Sequence, residues 1–256
     1  MVESIDSIHL HTSRVKTLDS LLRKVITKRH ERLFNRHDPY SHISEENFQS
    51  IITDLAGVRL IMSYRGDWNK MHQALVSKFP YCDNSEYEKY TIVPHKEQQC
   101  FLAQIPVVIH AKNDDLSIFL SENVKTRLHE GGYRSVHYIV SYDNVYAEIQ
   151  TRTIYDEAWS DCDHRYVYKH EENLSHPALL EMSGILNTYT NASNDLGEEI
   201  RNVFLSKNIR IDETNTFHTN EEERLRIDQI FSRYEEAQNR FRAFIDQLVT
   251  RKGWSE

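Results

Sequence analysis

The 256-residue sequence lacks any apolar run approaching the roughly 20 residues that a membrane-spanning helix needs, and its N-terminus has no apolar signal-peptide core. It contains only three cysteines, an odd number without metal-ligand spacing, so we expect reduced thiols rather than a disulfide framework. Neither GxxxxGKS/T nor GxGxxG occurs, which leaves P-loop and Rossmann nucleotide sites without support. Together these absences predict a cytoplasmic protein with no membrane partner.

Positive charge is also in short supply. The 31 Lys and Arg residues against 39 Asp and Glu residues give a formal net charge of −8. Such a balance argues against broad, non-specific nucleic-acid binding, although a local basic groove remains compatible with it. The length allows one domain with a sizeable core, or one domain with an appendage.

Residues 133–152 have the pattern of a β-hairpin. Two runs rich in Val, Ile and Tyr, "YRSVHYIVSY" and "VYAEIQTR", flank Asp143-Asn144, which predicts a two-residue turn. With that turn, Tyr142 pairs with Val145 and the register of the two strands is fixed. A helix with apolar residues at helical spacing is predicted to follow the hairpin.

Side chains alternate across a strand, so this register gives the hairpin one apolar and one polar face. The apolar face has the composition of a core surface: Val136, Tyr138, Val140, Ala147 and Ile149. The polar face places Gln150 opposite His137, and its members are Tyr133, Ser135, His137, Glu148, Gln150 and Arg152. A sheet does not need a carboxylate, an imidazole, a guanidinium and an amide side by side for stability. The polar face therefore predicts a functional site.

The N-terminal part predicts an amphipathic helix from Thr12, with Thr17 as a candidate N-cap. The polar side of this helix is basic and includes Arg14, Lys16 and Lys24. A basic helix face is commonly just solvated, but in a chain of net negative charge it could instead hold triphosphate oxygens.

Asp54 lies where a short predicted helix gives way to a strand over residues 57–64; a lone aspartate there is usually a cap or turn residue. Further elements are predicted in this order: a helix over 67–79, strands over 87–93 and 103–109 with an interruption at Pro106, and a polar, Gly-ended connection over 113–132 that contains Lys125. Glycine lets backbone amides approach phosphate closely, so this connection is compatible with a phosphate contact.

Beyond residue 176 the composition changes. Two long, charged, amphipathic stretches, 178–207 and 221–252, predict helices that pack on the sheet domain, on each other or on another subunit. We expect a domain over residues 1–175 and a C-terminal helical extension over residues 176–256, with a structural or oligomerising role.

Asp54, Glu148 and the basic start of the first helix form the minimum set for metal-assisted phosphoryl transfer. Two carboxylates can hold Mg²⁺, the ion neutralises charge on the transferring group, and the cations grip the phosphates.

Five segments resemble, in the expected order, the synthetase domain of the RelA/SpoT family: "SRVKTLDSLLRK" at 13–24, "DLAGVRLI" at 54–61, "GGYRSVHYIV" at 131–140, "EIQTRT" at 148–153 and "EAWSDCDHRYVYK" at 157–169. The resemblance implies an α+β fold, a nucleotidyltransferase-like mixed β-sheet flanked by helices, here with a C-terminal helical extension. It also implies transfer of the β,γ-pyrophosphate of ATP to the ribose 3′-hydroxyl of GDP or GTP, which makes the alarmone (p)ppGpp.

The resemblance assigns roles by position. Asp54 resembles the Mg²⁺-binding aspartate, and Glu148 resembles the essential glutamate, a metal ligand and candidate base. The positions that correspond to ATP contacts are Arg14, Lys16, Lys24 and Arg59. The acceptor-side positions are Tyr133, which would stack on guanine, and His137, Gln150, Arg152 and Lys125.

Departures from the family pattern leave alternatives open. The chain resembles a single-domain small synthetase, a type that often oligomerises through terminal helices, and the HD dipeptide His37-Asp38 lacks acidic partners for a hydrolase metal site. The segment before Gly131 differs from the usual basic, Pro-containing loop, so the acceptor is open. One alternative is a toxin-type synthetase, with a cognate antitoxin, that pyrophosphorylates the 3′-terminal adenosine of tRNA. Another is an inactive nucleotide-binding regulator, against which the presence of both carboxylates argues.

Overall fold

The computed structural model describes residues 8–31, 39–96, 100–142, 145–168 and 176–205, together with single positions between residues 225 and 239. The described residues form two compact units: the first runs to Ser63 and from Asp67 to Arg152, and the second combines Tyr64–Gly66 with the residues from Thr153 onward. The predicted domain boundary after residue 175 stays a prediction.

Within the described residues, seven strands form one mixed sheet. The strands are β1 (Ile8–Val15), β2 (Ala56–Met62), β3 (Phe101–Leu102), β4 (Val107–His110), β5 (Lys125–Leu128), β6 (Ser135–Tyr142) and β7 (Val145–Thr153). Their order is β1-β2-β7-β6-β4-β5, and β3 also pairs with β6. The β4–β5 pair is parallel, whereas β1–β2, β3–β6, β4–β6 and β6–β7 are antiparallel. The predicted mixed sheet is confirmed.

The helices in chain order are α1 (Leu18–Glu31), α2 (Phe48–Ile51), α3 (Trp68–Lys78), α4 (Asn84–Lys89), α5 (Ile154–Asp163) and α6 (Pro177–Leu205). The first four belong to the same unit as the sheet, and α5 and α6 belong to the second unit. A π-helical turn, His164–Tyr168, continues α5. The predicted helix over 178–207 is confirmed as α6, while the predicted helix over 221–252 lies outside the described residues apart from single positions. In the described part of the chain, no helix has the length and apolar character needed to cross a membrane.

The hairpin has the predicted register. His137 is opposite Gln150, and Tyr142 is opposite Val145, while the predicted turn residues 143–144 lie outside the described residues. The apolar face is buried with the inward side of α3 in one core: Leu60, Met62, Trp68, Met71, Leu75, Phe79, Leu102, Val108, Val136, Tyr138, Val140 and Ile149. Burying each large apolar side chain stabilises the fold by about 1.5–3 kcal/mol, so the apolar face of the hairpin lies inward. The opposite face is the one that remains for polar groups.

The polar face is not polar along its whole length. Near the turn end of the hairpin, Ile139 and Tyr146 join a second small apolar cluster with Val93, Phe101 and Ala103. This cluster confines the polar groups of β6 and β7 to the other end of the two strands.

The N-terminal prediction is wrong in one respect. Residues 8–15 form the edge strand β1, and the first helix begins only at Leu18, so Arg14 lies on a strand and Lys16 in the connection that follows. Residues 8–15 form a strand because they pair with β2, and this contact between distant residues cannot be seen in the local spacing of apolar residues. Thr17 is confirmed as the cap, because its Oγ1 accepts a hydrogen bond from the Ser20 amide at 3.3 Å.

The predicted strand over 87–93 is also wrong, because Asn84–Lys89 is the helix α4. The Tyr87 hydroxyl donates to the Leu102 carbonyl at 2.8 Å and accepts from the Cys82 amide at 2.9 Å. This helical tyrosine is therefore held through its hydroxyl and not by strand pairing. Tyr, Thr, Ile and Val are common in strands partly because their side chains pack well there, so their presence alone does not show that a segment pairs with a strand. In contrast, β4 begins at Val107, directly after Pro106, as expected for a residue without an N–H donor.

The polar connection predicted over 113–132 contains strand β5, with Lys125 opposite Val107. At its end, Gly132 has φ 86°, a backbone conformation that only glycine adopts readily. The glycine is therefore required by the turn that leads into Tyr133.

The second unit is built on α5 and α6. Thr153 caps α5, since its Oγ1 accepts from the Asp156 amide at 3.2 Å. The Trp159 indole donates to the Ser183 carbonyl at 3.0 Å and joins the two helices.

Candidate active site

The first opening beside the polar face has two arginines in its lining, and we call it the arginine pocket. It has a volume of about 190 Å³ and is lined by Thr12, Ser13, Arg14, Gly57, Val58, Arg59, Glu148 and Gln150. In the β1–β2 ladder, Arg14 is opposite Gly57 and Arg59 is opposite Thr12, so both guanidinium groups rise from the same face of the sheet. A Cβ at Gly57 would lie 3.5 Å from Arg14 Nε and 4.0 Å from the Glu148 carbonyl, which places Gly57 between those two residues.

A second, larger opening lies on the other side of Glu148, and we call it the wide cleft. Its volume is about 880 Å³, and its lining residues are Tyr40, Ser50, Ile51, Thr53, Lys89, Tyr90, Thr91, Ile92, Gln104, Val107, Arg127, His137, Ile139 and Glu148. Glu148 lines both openings. Molecules bound in the two openings would therefore approach the same carboxylate.

Asp54 is held by two lysines. Lys24 Nζ lies 2.7 Å from Asp54 Oδ1, and Lys16 Nζ lies 2.9 Å from Asp54 Oδ2. Burial alone would raise the pKa of Asp54, but the hydrogen bonds and charges of Lys24 and Lys16 outweigh burial and lower that pKa. The carboxylate is therefore ionised at neutral pH and its charge is shared with two cations.

Glu148 accepts a hydrogen bond on each oxygen. His137 Nδ1 lies 3.1 Å from Glu148 Oε1, and Gln150 Nε2 donates to Glu148 Oε2 at 2.8 Å. Burial would raise the pKa of Glu148, yet His137 and Gln150 lower it, while the charge of Asp54 acts in the raising direction. That Asp54 and Glu148 share one site stays a prediction.

Four other members of the polar face, Tyr133, His137, Gln150 and Arg152, form one hydrogen-bonded ring with Glu148. Arg152 Nη2 donates to Gln150 Oε1 at 2.6 Å and to Tyr133 Oη at 2.8 Å. Tyr133 Oη lies 3.1 Å from His137 Nε2, which closes the ring. The Arg152 guanidinium also lies 4.9 Å from the centre of the Tyr133 ring, and burial raises the pKa of the phenol.

The structure brings together most of the residues chosen from the sequence. Five of them line an opening: Arg14, Arg59, His137, Glu148 and Gln150. Tyr133 and Arg152 line neither opening but bond to His137 and Gln150, while Asp54 and the two lysines that pair with it, Lys16 and Lys24, also line neither.

Lys125 is exposed on β5 and lines neither opening, whereas Arg127, two residues further on the same strand face, lines the wide cleft. Strand alternation links the two positions, so Arg127 could have been found from the sequence. Tyr40, Lys89 and Tyr90 were missed because they come from a turn, from α4 and from the segment after it, for which the sequence predicts no site.

The basic side of α1 is largely used within the molecule. Arg23 pairs with Asp19 at 3.0 Å, and Arg29 Nη2 donates to the Ile43 carbonyl at 2.6 Å. Lys24 is committed to Asp54. These contacts reduce the cationic surface that α1 can offer to a large polyanion.

The described residues contain no group of three or more His, Cys, Asp or Glu side chains placed to hold a metal ion. Mg²⁺ in phosphate-transfer sites is, however, usually bound by one or two carboxylates together with substrate phosphates and water. Asp54 and Glu148, two ionised and interacting carboxylates, fit that kind of site.

Comparison with solved structures defines the class of fold. A GTP pyrophosphokinase family protein from Streptococcus pneumoniae aligns over 79% of this chain and 79% of its own, with 20% identity and a TM-score of 0.50. Small alarmone synthetase 1 from Bacillus subtilis aligns over 78% of this chain and 82% of its own, with 18% identity and a TM-score of 0.49. The likeness to the Streptococcus pneumoniae protein shows a shared fold. No match is found among the curated proteins.

The family follows from the sequence itself. The family model described as the region found in RelA / SpoT proteins matches residues 13–173, which is more than half of the chain. The protein belongs to the RelA/SpoT family, and the predicted resemblance and fold class are confirmed.

Proposed function

We propose that this protein transfers the β,γ-pyrophosphate of ATP to the ribose 3′-hydroxyl of GDP or GTP, making (p)ppGpp. The observation that carries the proposal is that the arginine pocket and the wide cleft meet at Glu148. A transfer between two nucleotides needs a donor site and an acceptor site that share the reacting group.

The arginine pocket is the proposed ATP side. The planar guanidinium groups of Arg14 and Arg59 suit stacking on a base and bidentate contact with phosphate. Lys16 and Lys24, which hold Asp54, supply further positive charge for the phosphates. This division agrees with the ATP contacts that the family resemblance implies.

The wide cleft is the proposed acceptor side. Its volume of about 880 Å³ lies within the usual range of ~300–1,000 Å³ for small-molecule sites. Tyr40 and Tyr90 offer aromatic surface, and Lys89 and Arg127 offer charge for the 5′-phosphates of a guanine nucleotide. Tyr133, which the family resemblance assigns to stacking on the guanine, does not itself line this cleft but contacts the lining residue His137 at 3.1 Å.

The proposed chemistry centres on Glu148. Its carboxylate takes the proton of the 3′-hydroxyl as that oxygen forms a bond with the β-phosphorus of ATP. The bond between the β-phosphorus and the bridging oxygen to the α-phosphate breaks, and AMP leaves with that bonding pair. Asp54 and Glu148 are the residues that would hold Mg²⁺, which when bound neutralises charge on the transferring group.

An acceptor assay tests the proposal. Purified protein is incubated with γ-labelled ATP, Mg²⁺ and one acceptor at a time: GDP, GTP, ATP or deacylated tRNA. We expect label on the guanine nucleotides. Label on tRNA without label on GDP or GTP would contradict the proposal and assign the tRNA 3′ end as acceptor. Tight nucleotide binding without any transfer would instead assign an inactive regulator.

The proposed assembly is a homo-oligomer formed through the C-terminal helices. It is supported by apolar side chains exposed along α6, which are Leu180, Met182, Leu186, Leu196, Ile200 and Phe204. Light scattering of the purified protein tests it: a mass near the 30.3 kDa of one chain would contradict an oligomer. An antitoxin partner is a prediction tied to the tRNA alternative.

A further inference from the structure

The ring of side chains around Glu148 has a defined direction of hydrogen bonding. Arg152 has only donors and the Glu148 carboxylate has only acceptors, so these two residues are the start and the end of the ring. Two arms connect them: one through Gln150, the other through Tyr133 and His137.

The short arm fixes the orientation of an amide. Gln150 Oε1 accepts from Arg152 at 2.6 Å, and Gln150 Nε2 donates to Glu148 at 2.8 Å. The reverse orientation would set a donor against a guanidinium and an oxygen against a carboxylate. The positive charge of Arg152 is therefore relayed to Glu148 through one polarised side chain.

The long arm fixes a histidine tautomer. Because Glu148 Oε1 can only accept, Nδ1 of His137 carries a proton, at 3.1 Å from that oxygen. Tyr133 Oη accepts from Arg152 and lies 3.1 Å from His137 Nε2, with Ser135 as a further hydrogen-bonding neighbour. When Nε2 carries no proton, it can accept the Tyr133 hydroxyl proton.

Burial supports a role inside the site for Arg152. It is only 3% exposed, and its Nη2 is engaged by Tyr133 and Gln150. The β6–β7 register places His137 directly opposite Gln150, so the two arms reach Glu148 from adjacent strands. Neighbours on both strands thereby constrain the carboxylate.

We propose that Tyr133 and His137 are positioning residues for Glu148: the Tyr133 hydroxyl holds His137 as the Nδ1–H tautomer, and His137 holds the carboxylate in its reactive orientation. This inference rests on the proposed function only for what Glu148 does. It gives the Tyr133 hydroxyl a task separate from stacking of the Tyr133 ring on an acceptor base.

The substitution Tyr133→Phe separates these two tasks, because it keeps the ring and removes the hydroxyl. We expect kcat to fall by about 10–100-fold, the range typical of partners that orient a site ligand, with the KM for the acceptor changed by less than about twofold. A stacking role alone predicts an unchanged kcat, and that result would overturn the proposal. Tyr142→Phe, at an exposed tyrosine that ends β6, is the matched control and should leave kcat unchanged.

Substitutions at His137 test the order of the arm. Asn at this position can place an amide N–H near the Nδ1 position but has no acceptor for Tyr133, so we expect His137→Asn to keep more activity than His137→Ala. Adding Tyr133→Phe to His137→Asn should cost almost nothing further, because the arm is already cut. Multiplicative losses in the double variant would show that the two residues act independently, against the proposal.

An NMR measurement makes the inference independent of turnover. The ¹⁵N shifts of the His137 ring at neutral pH should show a protonated Nδ1 and an unprotonated Nε2, and Tyr133→Phe should mix the two tautomers. An Nε2–H tautomer in the unsubstituted protein would overturn the proposal even if the enzyme is active. The expected tautomer without transfer to any acceptor would instead reject the proposed function and leave the hydrogen-bond arm intact.

Discussion

Lys24 and Asp54 join the first helix to the connection that leads into β2: Lys24 Nζ lies 2.7 Å from Asp54 Oδ1. Lys16 holds the second oxygen of Asp54 at 2.9 Å. The same three side chains are the ones proposed to serve ATP and Mg²⁺. A substrate complex must therefore exchange part of this internal ion pairing for contacts with phosphate.

Replacing Asp54 by Asn should reduce the free energy of unfolding by about 1–3 kcal/mol at neutral pH, because two charge-assisted hydrogen bonds to a partly buried carboxylate are lost. Urea denaturation measures the difference. An unchanged midpoint would show that these ion pairs contribute nothing to stability.

The stability difference between the unsubstituted protein and Asp54→Asn should also depend on pH. The pKa of Asp54 is lowered by folding, so its contribution is complete above the ordinary aspartate value of 3.8 and is lost as the pH falls through the lower folded-state value. Denaturation of both proteins across acidic pH checks this sign. A difference that grows with acidification would contradict the assignment of an ionised, lysine-bound Asp54.

The substitution Glu148→Gln should reduce transfer by at least about 10²-fold, since the amide cannot accept the hydroxyl proton. The fold and ATP binding should be retained, as judged by circular dichroism and calorimetric titration with ATP. Glu181→Gln, an exposed position on α6, is the control. Comparable activity of the Glu148 and Glu181 variants would exclude Glu148 as the base.

Substitutions in the two openings should change different kinetic constants. We expect Arg59→Ala to raise the KM for ATP about tenfold or more and Arg127→Ala to raise chiefly the KM for the acceptor, since each loses a cation from one opening only. Lys112→Ala removes an exposed cation after β4 and serves as the control. Arg59→Ala and Arg127→Ala variants with the same kinetic defect would show that the donor and acceptor sides are misassigned.

A partly buried ion pair between Asp114 and Arg134, which we call the clamp, holds the segment that leads into Tyr133. Arg134 donates to both carboxylate oxygens of Asp114 at 2.8 and 2.9 Å and to the carbonyl of Gly132 at 3.1 Å. Asp114→Asn should cost about 1.5–3 kcal/mol of unfolding free energy, whereas Asp161→Asn, which removes the exposed Arg165 pair, should cost below about 1 kcal/mol. Equal costs in urea denaturation would show that the clamp contributes no more than a surface pair.

The sequence was most informative where the pattern and the tertiary contacts agree. The hairpin register follows from Tyr142 and Val145 alone, and with it the shared face of His137, Glu148 and Gln150. The side-chain period of a strand is two, so a single correct pair determines every other pair. The hydrogen bonds of Tyr133 within the ring could not be predicted, because they depend on rotamers.

The secondary-structure predictions are wrong where the conformation of a segment depends on contacts with residues far along the chain. Arg14 belongs to an edge strand whose ladder partner, Gly57, lies far along the chain, and no local period reports that partner. Lys89 and Tyr90 reach the wide cleft from α4 and the segment that follows it, which the sequence predicts as a strand. Local propensity identifies neither case, because the decisive contacts are made between elements.

The most direct test of the account is identification of both products after incubation with ATP, GDP and Mg²⁺. Pyrophosphate transfer predicts AMP and a guanosine carrying diphosphate groups on both the 5′ and 3′ oxygens, in equal amounts, with neither formed by the Glu148→Gln variant. Chromatography with ³¹P NMR of the purified nucleotides measures this. ADP in place of AMP, or AMP without the doubly substituted guanosine, would contradict the account.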